Sequence, residues 1–192
     1  MIIWRQLGIA VVVLVVFSVI AGIIYPLVVT GIAQAAFHHQ ANGSLIESDG
    51  QPLGSDLIGQ PFSDPKYFWG RLSATKPVPY SADASAGSNY GPLNPALRQA
   101  IEERIAALRA VDPENTDPVP IDLVTFSASG LDPHISVAAA SYQAARVARY
   151  RDLSMDQVMA LIRRYTSGRQ LGFLGEQRVN VLELNLALDG ME

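Results

Sequence analysis

Residues 7–29 read LGIAVVVLVVFSVIAGIIYPLVV, and no Asp, Glu, Lys or Arg occurs between Gln6 and Ile46. At about 1.5 Å per helical residue, this run reaches roughly 35 Å, enough to cross a hydrocarbon core about 30 Å thick. A buried core helix of that length would be interrupted by polar residues, so the stretch reads as a membrane span over residues 7–30. A cleaved signal peptide is the rival, since Arg5 suits an n-region and Ala33-Gln34-Ala35 resembles a cleavage site. The apolar run exceeds the 7–15 residues usual for such peptides, which favours an uncleaved anchor.

Charge on either side sets the expected orientation. Arg5 and the α-amine precede the span, whereas the first basic residue after it is Lys66. The positive-inside rule then keeps residues 1–6 in the cytoplasm and exports residues 31–192. Within the span, Ser18, Gly22, Pro26 and Thr30 recur every four residues, and Gly31-x-x-x-Ala35 continues the pattern. Small residues on one face let a second membrane helix approach closely, so these four are candidates for helix packing. Tyr25-Pro26 predicts an aromatic near the far interface and a bend.

The bulk numbers bound the rest. A chain of 192 residues forms one modest core, and a second independent domain is not expected. The net charge of −4, with Lys66 and Lys76 as the only lysines, disfavours a nucleic-acid partner. Without cysteine there is no disulfide, thiolate zinc site or thiol nucleophile. His38-His39 offers no metal site, because neighbours on a helix diverge and no further ligands follow closely.

Residues 38–94 read as irregular or strand-rich, with turns at Asn42-Gly43, Asp49-Gly50 and Pro52. Tyr67, Phe68 and Trp69 lie there, read as entering a small core. Helices follow. Asn94 caps the first, Pro95 opens it, Leu97, Ile101, Ile105 and Leu108 share a face, and Asp112-Pro113 ends it. The second runs from near Ser136 to near Tyr150, with Arg146, Arg149 and Arg151 complementing its dipole. The third opens on the capping box Ser154-x-x-Gln157, turns Val158, Leu161, Ile162 and Tyr165 inward and stops at Gly168. Residues 179–190 carry two signals: Leu182, Leu184, Leu186 and Leu188 alternate like a strand, while Asn180-x-x-Glu183 resembles a cap. Helix is favoured, giving an α+β domain behind one membrane helix.

The stretch S-A-S-G-L-D-P-H-I-S (127–136) invites a serine hydrolase built from Ser127 or Ser129 with Asp132 and His134. Neither serine sits in G-x-S-x-G, and catalytic groups usually converge from separated segments. Gly130, Asp132 and Pro133 read instead as a turn leading into a helix cap. No P-loop is present. Ser167-Gly168-Arg169-Gln170 loosely resembles an ABC-type signature, but reads as a helix-ending turn.

Taken together, these stretches resemble the KdpC family, a component of the Kdp potassium-transporting P-type ATPase. The resemblance rests on YPLVVTGIAQAAF (25–37), QANGSLI (40–46), GSDLIGQPF (54–62), YFWGRLSAT (67–75), GSNYGPLNPAL (87–97), SASGLDPHIS (127–136) and GEQRVNVLELNLALD (175–189). Leu72, Tyr90 and Gln177 depart from the residues usual there. The resemblance implies a non-catalytic accessory subunit of a bacterial complex that imports potassium at the expense of ATP. Its implied partners are a channel-like potassium-binding subunit, a P-type ATPase catalytic subunit and a short single-span subunit, with lipid around the anchor. The family is described as a catalytic chaperone raising the ATP affinity of the catalytic subunit. The family is also described as ATP-binding. With residues after 30 outside, the charge asymmetry conflicts with direct contact to cytoplasmic ATP. ATP is expected to act through the catalytic subunit, the cofactor-binding residues of this chain being left open. Gly70, Arg71, Ser73, Ser127, Ser129, Gly130, Asp132, His134 and Asn180 fall in the shared motifs and become candidates for contact or for defining the fold. A free-standing anchored binding module is the alternative.

Overall fold

The computed structural model describes residues 2–48 and 50–191; the α-amine of Met1 and Asp49 of the Asp49-Gly50 turn lie outside the described residues. The chain divides into two units, one ending at Leu45 and the other beginning at Ile46.

The first unit is helical. Helix α1 (Ile2–Val19) passes through one wide π-helical turn (Ile20–Ile24) into α2 (Tyr25–Ala36). Pro26 sits in the first turn of α2. Proline lacks an N–H and its ring crowds the carbonyl four residues back. The expected disturbance at Tyr25-Pro26 therefore takes the form of a widened turn just before it. Residues Ile3–Ala36, 34 in all, form a helix long and apolar enough to cross a membrane, and none of its most apolar window is buried within the chain. Side chains such as Leu14, Phe17 and Leu27 are about two-thirds exposed, so their cover must come from outside the chain. Phe37 leaves helical geometry, and a single turn α3 (His38–Ala41) follows. His38 is tied there to Gln34 Oε1 at 3.1 Å, and Asn42 Nδ2 donates to the His38 carbonyl at 2.7 Å.

The second unit is the α+β domain. Strands β1 (Leu45–Ser48) and β2 (Gln51–Ser55) pair, with Gly50 at φ +73° between them. Apart from these elements and α3, the 38–94 stretch is irregular, as its turn residues imply. Helix α4 (Pro95–Val111) is capped by Asn94, whose side chain accepts from the Ala96 N–H. Only Leu108 of its predicted face is fully buried; Leu97, Ile101 and Ile105 are half-covered. A short α5 (Ile121–Val124) and strand β3 (His134–Ser136) lead into α6 (Val137–Tyr150). Ser136 caps α6 by accepting from Ala139 N–H.

Helix α7 (Met155–Arg164) has the full capping box of Ser154 and Gln157 and buries Val158 and Ile162. It ends before the expected Gly168, because Thr166–Ser167 become strand β4. Strand β5 (Arg178–Asn180) lies between β3 and β4, antiparallel to both. Helix α8 (Val181–Asp189) closes the fold, with Asn180 Oδ1 accepting from Leu182 N–H at 3.0 Å and Glu183 N–H at 3.2 Å. The buried positions Val181, Leu184, Asn185 and Leu188 follow helical spacing, a face that the leucine alternation conceals.

The core forms around α6. Ala139, Ala140, Ala144 and Val147 are fully buried, and their small side chains let α7, the sheet and α8 close in. Phe68 and Trp69, with 0% and 5% of their surface exposed, enter the same core from the irregular arm.

Candidate functional site

Two sets of interactions fasten the irregular arm to the helical core, and they involve all nine candidate residues of the domain or their immediate neighbours.

The first is a knot around residues 127–136. Ser127 N–H donates to the Leu72 carbonyl at 2.9 Å, laying 72 beside 126 in a parallel bridge. Ser73 Oγ donates to the Gly130 carbonyl at 2.7 Å and accepts from Tyr80 N–H at 2.9 Å. Gly130 has φ +71°, and a Cβ there would meet the Ala86 carbonyl oxygen and Thr75 Cγ2, each at 2.6 Å. Only glycine suits both the backbone and the space. The Ser129 carbonyl accepts from Ala86 N–H, and Ser129 Oγ accepts from Leu131 N–H at 3.1 Å. Asp132 Oδ1 accepts from His134 N–H at 3.0 Å, the local turn that an aspartate before a strand makes. Ser127 Oγ is buried and has no hydrogen-bond partner among the described residues.

Arg71 and Asp132 pair at 3.1 Å, and His134 Nδ1 lies 3.3 Å from the other carboxylate oxygen. Burial pushes the Asp132 carboxyl up, but the hydrogen bonds from His134 and Arg71 together outweigh it and hold the group below its ordinary value. Strand pairing sets His134 opposite Asn180, and Asn180 Nδ2 reaches the Asp56 carbonyl at 2.7 Å. The loop 127–134, the arm at 70–73 and the β5–α8 junction thus meet at one place. A groove of about 320 Å³, lined by Arg71, Asp122, Asp132, His134, Glu176 and Arg178 among others, opens beside it.

Ser129 and Asp132 serve local turns in this knot, while Ser73, Arg71 and Asn180 bond across to distant segments. His134 engages Asp132 rather than either serine. Among the described residues no group of three or more His, Asp or Glu side chains is arranged to hold a metal ion, His38 and His39 included. Ser167-Gly168-Arg169-Gln170 runs from β4 into a tight turn, where Gln170 pairs with Leu174.

The second set is one that reading the sequence missed. Asn185 accepts from Phe68 N–H at 2.9 Å and donates to the Phe68 carbonyl at 3.0 Å. Gln143 does the same for Trp69, at 2.9 and 3.1 Å. Arg146, expected at the end of α6 as a dipole partner, is 1% exposed and points inward. It donates to the carbonyls of Pro65 and Tyr67 and to Gln143 Oε1. Burial lowers its pKa to about 10. Arg149 does remain at the helix end, paired with Asp112 at 2.6 Å. Two guanidinium groups lie over the Trp69 ring, Arg104 at 4.9 Å and Arg146 at 5.1 Å from its centre.

The architecture defines a class: a small α+β domain carried behind one helix long enough to span a bilayer, its motif residues joined into one packed knot. Within that class, the chain belongs to the KdpC family (K+-transporting ATPase, c chain), whose model matches residues 7–190. A potassium-transporting ATPase KdpC subunit of Methylococcus capsulatus is 65% identical over 182 residues, covering 95% of this chain and 96% of its own. Those of Herpetosiphon aurantiacus and Sorangium cellulosum are 64% and 62% identical, over 92% and 94% of this chain and 91% and 95% of theirs.

Proposed function

We propose that the chain is a non-catalytic accessory subunit of an ATP-driven potassium importer, held in the bacterial inner membrane by residues 7–30. Residues 1–6 lie in the cytoplasm, and residues 31–192 form the domain outside. The observation that carries this reading is the family membership, joined to a 34-residue apolar helix whose surface finds no cover within the chain. The knot supports a supporting role, since Ser129 Oγ and the Asp132 carboxylate serve local turns and the His134 ring lies beside Asp132.

In this reading the small residues Ser18, Gly22, Pro26 and Thr30 face a helix of the channel-like subunit, and the external domain stabilises that subunit near its outer mouth. The assembly is completed by the catalytic subunit and the short single-span subunit. ATP is bound by the catalytic subunit, and any rise in its ATP affinity is transmitted through a conformational equilibrium that the accessory chain biases. The transported ion is potassium.

Purification of the tagged chain in mild detergent from potassium-starved cells tests the reading. Co-elution of a P-type ATPase and a multi-span protein, with vanadate-sensitive ATPase activity, is the expected result. Elution of the chain alone, with its anchor intact, would place a free-standing binding module ahead of it. Labelling by a fluorophosphonate probe would overturn the non-catalytic assignment.

A further inference from the structure

The arm carrying the motif 70–75 also brings two arginines to one small recess. Arg71, Arg104, Tyr80, Ser73, Gly70 and Gln60 contribute to the lining of a cavity of about 160 Å³. Arg104 donates Nε to the Leu123 carbonyl at 3.0 Å and one terminal nitrogen to the Gly70 carbonyl at 2.7 Å. Its other terminal nitrogen has no acceptor, and the guanidinium no carboxylate within ion-pair distance, among the described residues. Arg71 commits both terminal nitrogens, to Asp132 and to the Phe126 carbonyl. Its Nε is buried without an acceptor among the described residues.

The neighbouring hydroxyls direct their protons elsewhere. Tyr80 O–H donates to the Arg71 carbonyl at 2.6 Å, and Ser73 O–H to the Gly130 carbonyl at 2.7 Å. The lining therefore offers one uncommitted guanidinium nitrogen, that of Arg104, and a positive charge with no carboxylate beside it among the described residues. The Arg104 guanidinium rests over the Trp69 ring and on two carbonyls but faces no carboxylate, and a guanidinium fork matches an oxyanion.

We propose that this recess binds a small oxyanion, of carboxylate or inorganic phosphate size, with Arg104 as its charge partner. Size sets the class. A cavity of about 150 Å³ accommodates benzene, six heavy atoms. Acetate and phosphate fit that volume, and a whole nucleotide does not. The site stands apart from the proposed transport role, and it shares only Arg71 with the groove beside Asp132 and His134.

The test uses the full chain in detergent, with unfolding followed by Trp69 fluorescence. Sodium acetate and sodium phosphate are titrated at constant ionic strength, balanced with sodium chloride, and calorimetric titration of the wild type runs in parallel. The expected result is a saturable rise in Tm of about 5 °C or more at a hundredfold excess over Kd, with a matching binding heat. Arg104→Gln should abolish the saturable response. Should that variant fail to fold, Gln60→Glu, which adds a negative group to the lining, should fold and suppress the response. No saturable rise and no binding heat in the wild type would overturn the proposal. So would a response that survives at full size in the folded variants, since salts such as phosphate also stabilise proteins generally.

Discussion

Asn185 and Phe68, 117 positions apart, exchange two hydrogen bonds: the Phe68 N–H donates to Oδ1 at 2.9 Å and the Asn185 amide donates back at 3.0 Å. One residue further along, Gln143 repeats the exchange with Trp69. The primary amides of two different helices thus supply what a neighbouring strand would. A backbone segment with no sheet partner can then enter the core without orphaned polar groups.

Replacing either amide by leucine keeps the volume and removes the partner of a buried N–H and a buried C=O. Asn185→Leu or Gln143→Leu should cost about 2–6 kcal/mol, from the penalty of roughly 1–3 kcal/mol for each of the two unsatisfied buried groups. Denaturant unfolding measures the loss. The emission of Trp69 should also shift to longer wavelength, with Trp4, the only other tryptophan, as background. Unchanged stability and emission would show that the arm is held by its apolar contacts alone.

Gly130→Ala combines a left-handed backbone with contacts of 2.6 Å to a carbonyl oxygen and a methyl group. A loss of about 2–5 kcal/mol is expected, from roughly 1–2 for the backbone and 1–3 for the overpacking. Gly91, whose added Cβ meets nothing within 4 Å, is the control, and Gly91→Ala should leave Tm nearly unchanged.

The depressed pKa of Asp132 gives a pH dependence with a definite sign. A carboxyl whose folded pKa lies below its unfolded value stabilises the fold fully above the unfolded value, about 3.9 for aspartate. That contribution disappears as pH falls through the folded pKa. Wild-type Tm should therefore fall more steeply below about pH 4 than that of Asp132→Asn. The two curves should converge at low pH and separate at neutrality. Parallel curves would remove Asp132 from the account.

In the membrane helix, Gly22→Leu tests the packing face. Adding a branched side chain to a small-residue contact should weaken retention of the multi-span partner in detergent by about tenfold, taking roughly 1–3 kcal/mol for overpacking a close contact. Val13→Leu enlarges a side chain outside that set and should not affect retention. Equal retention by both variants would exclude Gly22 from a contact.

The helices were legible where local chemistry determines them. Asn94, Ser136, Ser154 and Asn180 cap as their side chains allow, and these bonds need no distant partner. The end of α7 was not legible. Nothing in Arg164-Tyr165-Thr166 halts a helix, and the turn to strand comes from pairing Thr166 with Val179, a contact across the fold. The motif residues gave away the knot's members but not its wiring. Gly130 meets Ala86 and Thr75, and Asn180 meets Asp56, only after chain closure. Gln143, Arg146 and Asn185 were overlooked because polar residues in helices usually face water. Their one local signal was position. Gln143 and Arg146 sit among the alanines of a buried face, and Asn185 lies between Leu184 and Leu188 on another.

The wide turn at Ile20–Ile24 has a geometric effect on the residues that flank it. At 3.6 residues per turn, positions four apart advance about 40° beyond a full rotation, so a row of small residues at that spacing winds slowly round the helix. A π-helical turn fits more residues into each rotation and holds that winding back. Ser18 before the turn, Gly22 within it, and Pro26 and Thr30 after it are thereby drawn toward a common line. The turn works as a phase correction, converting a spiral of small side chains into a straighter seam.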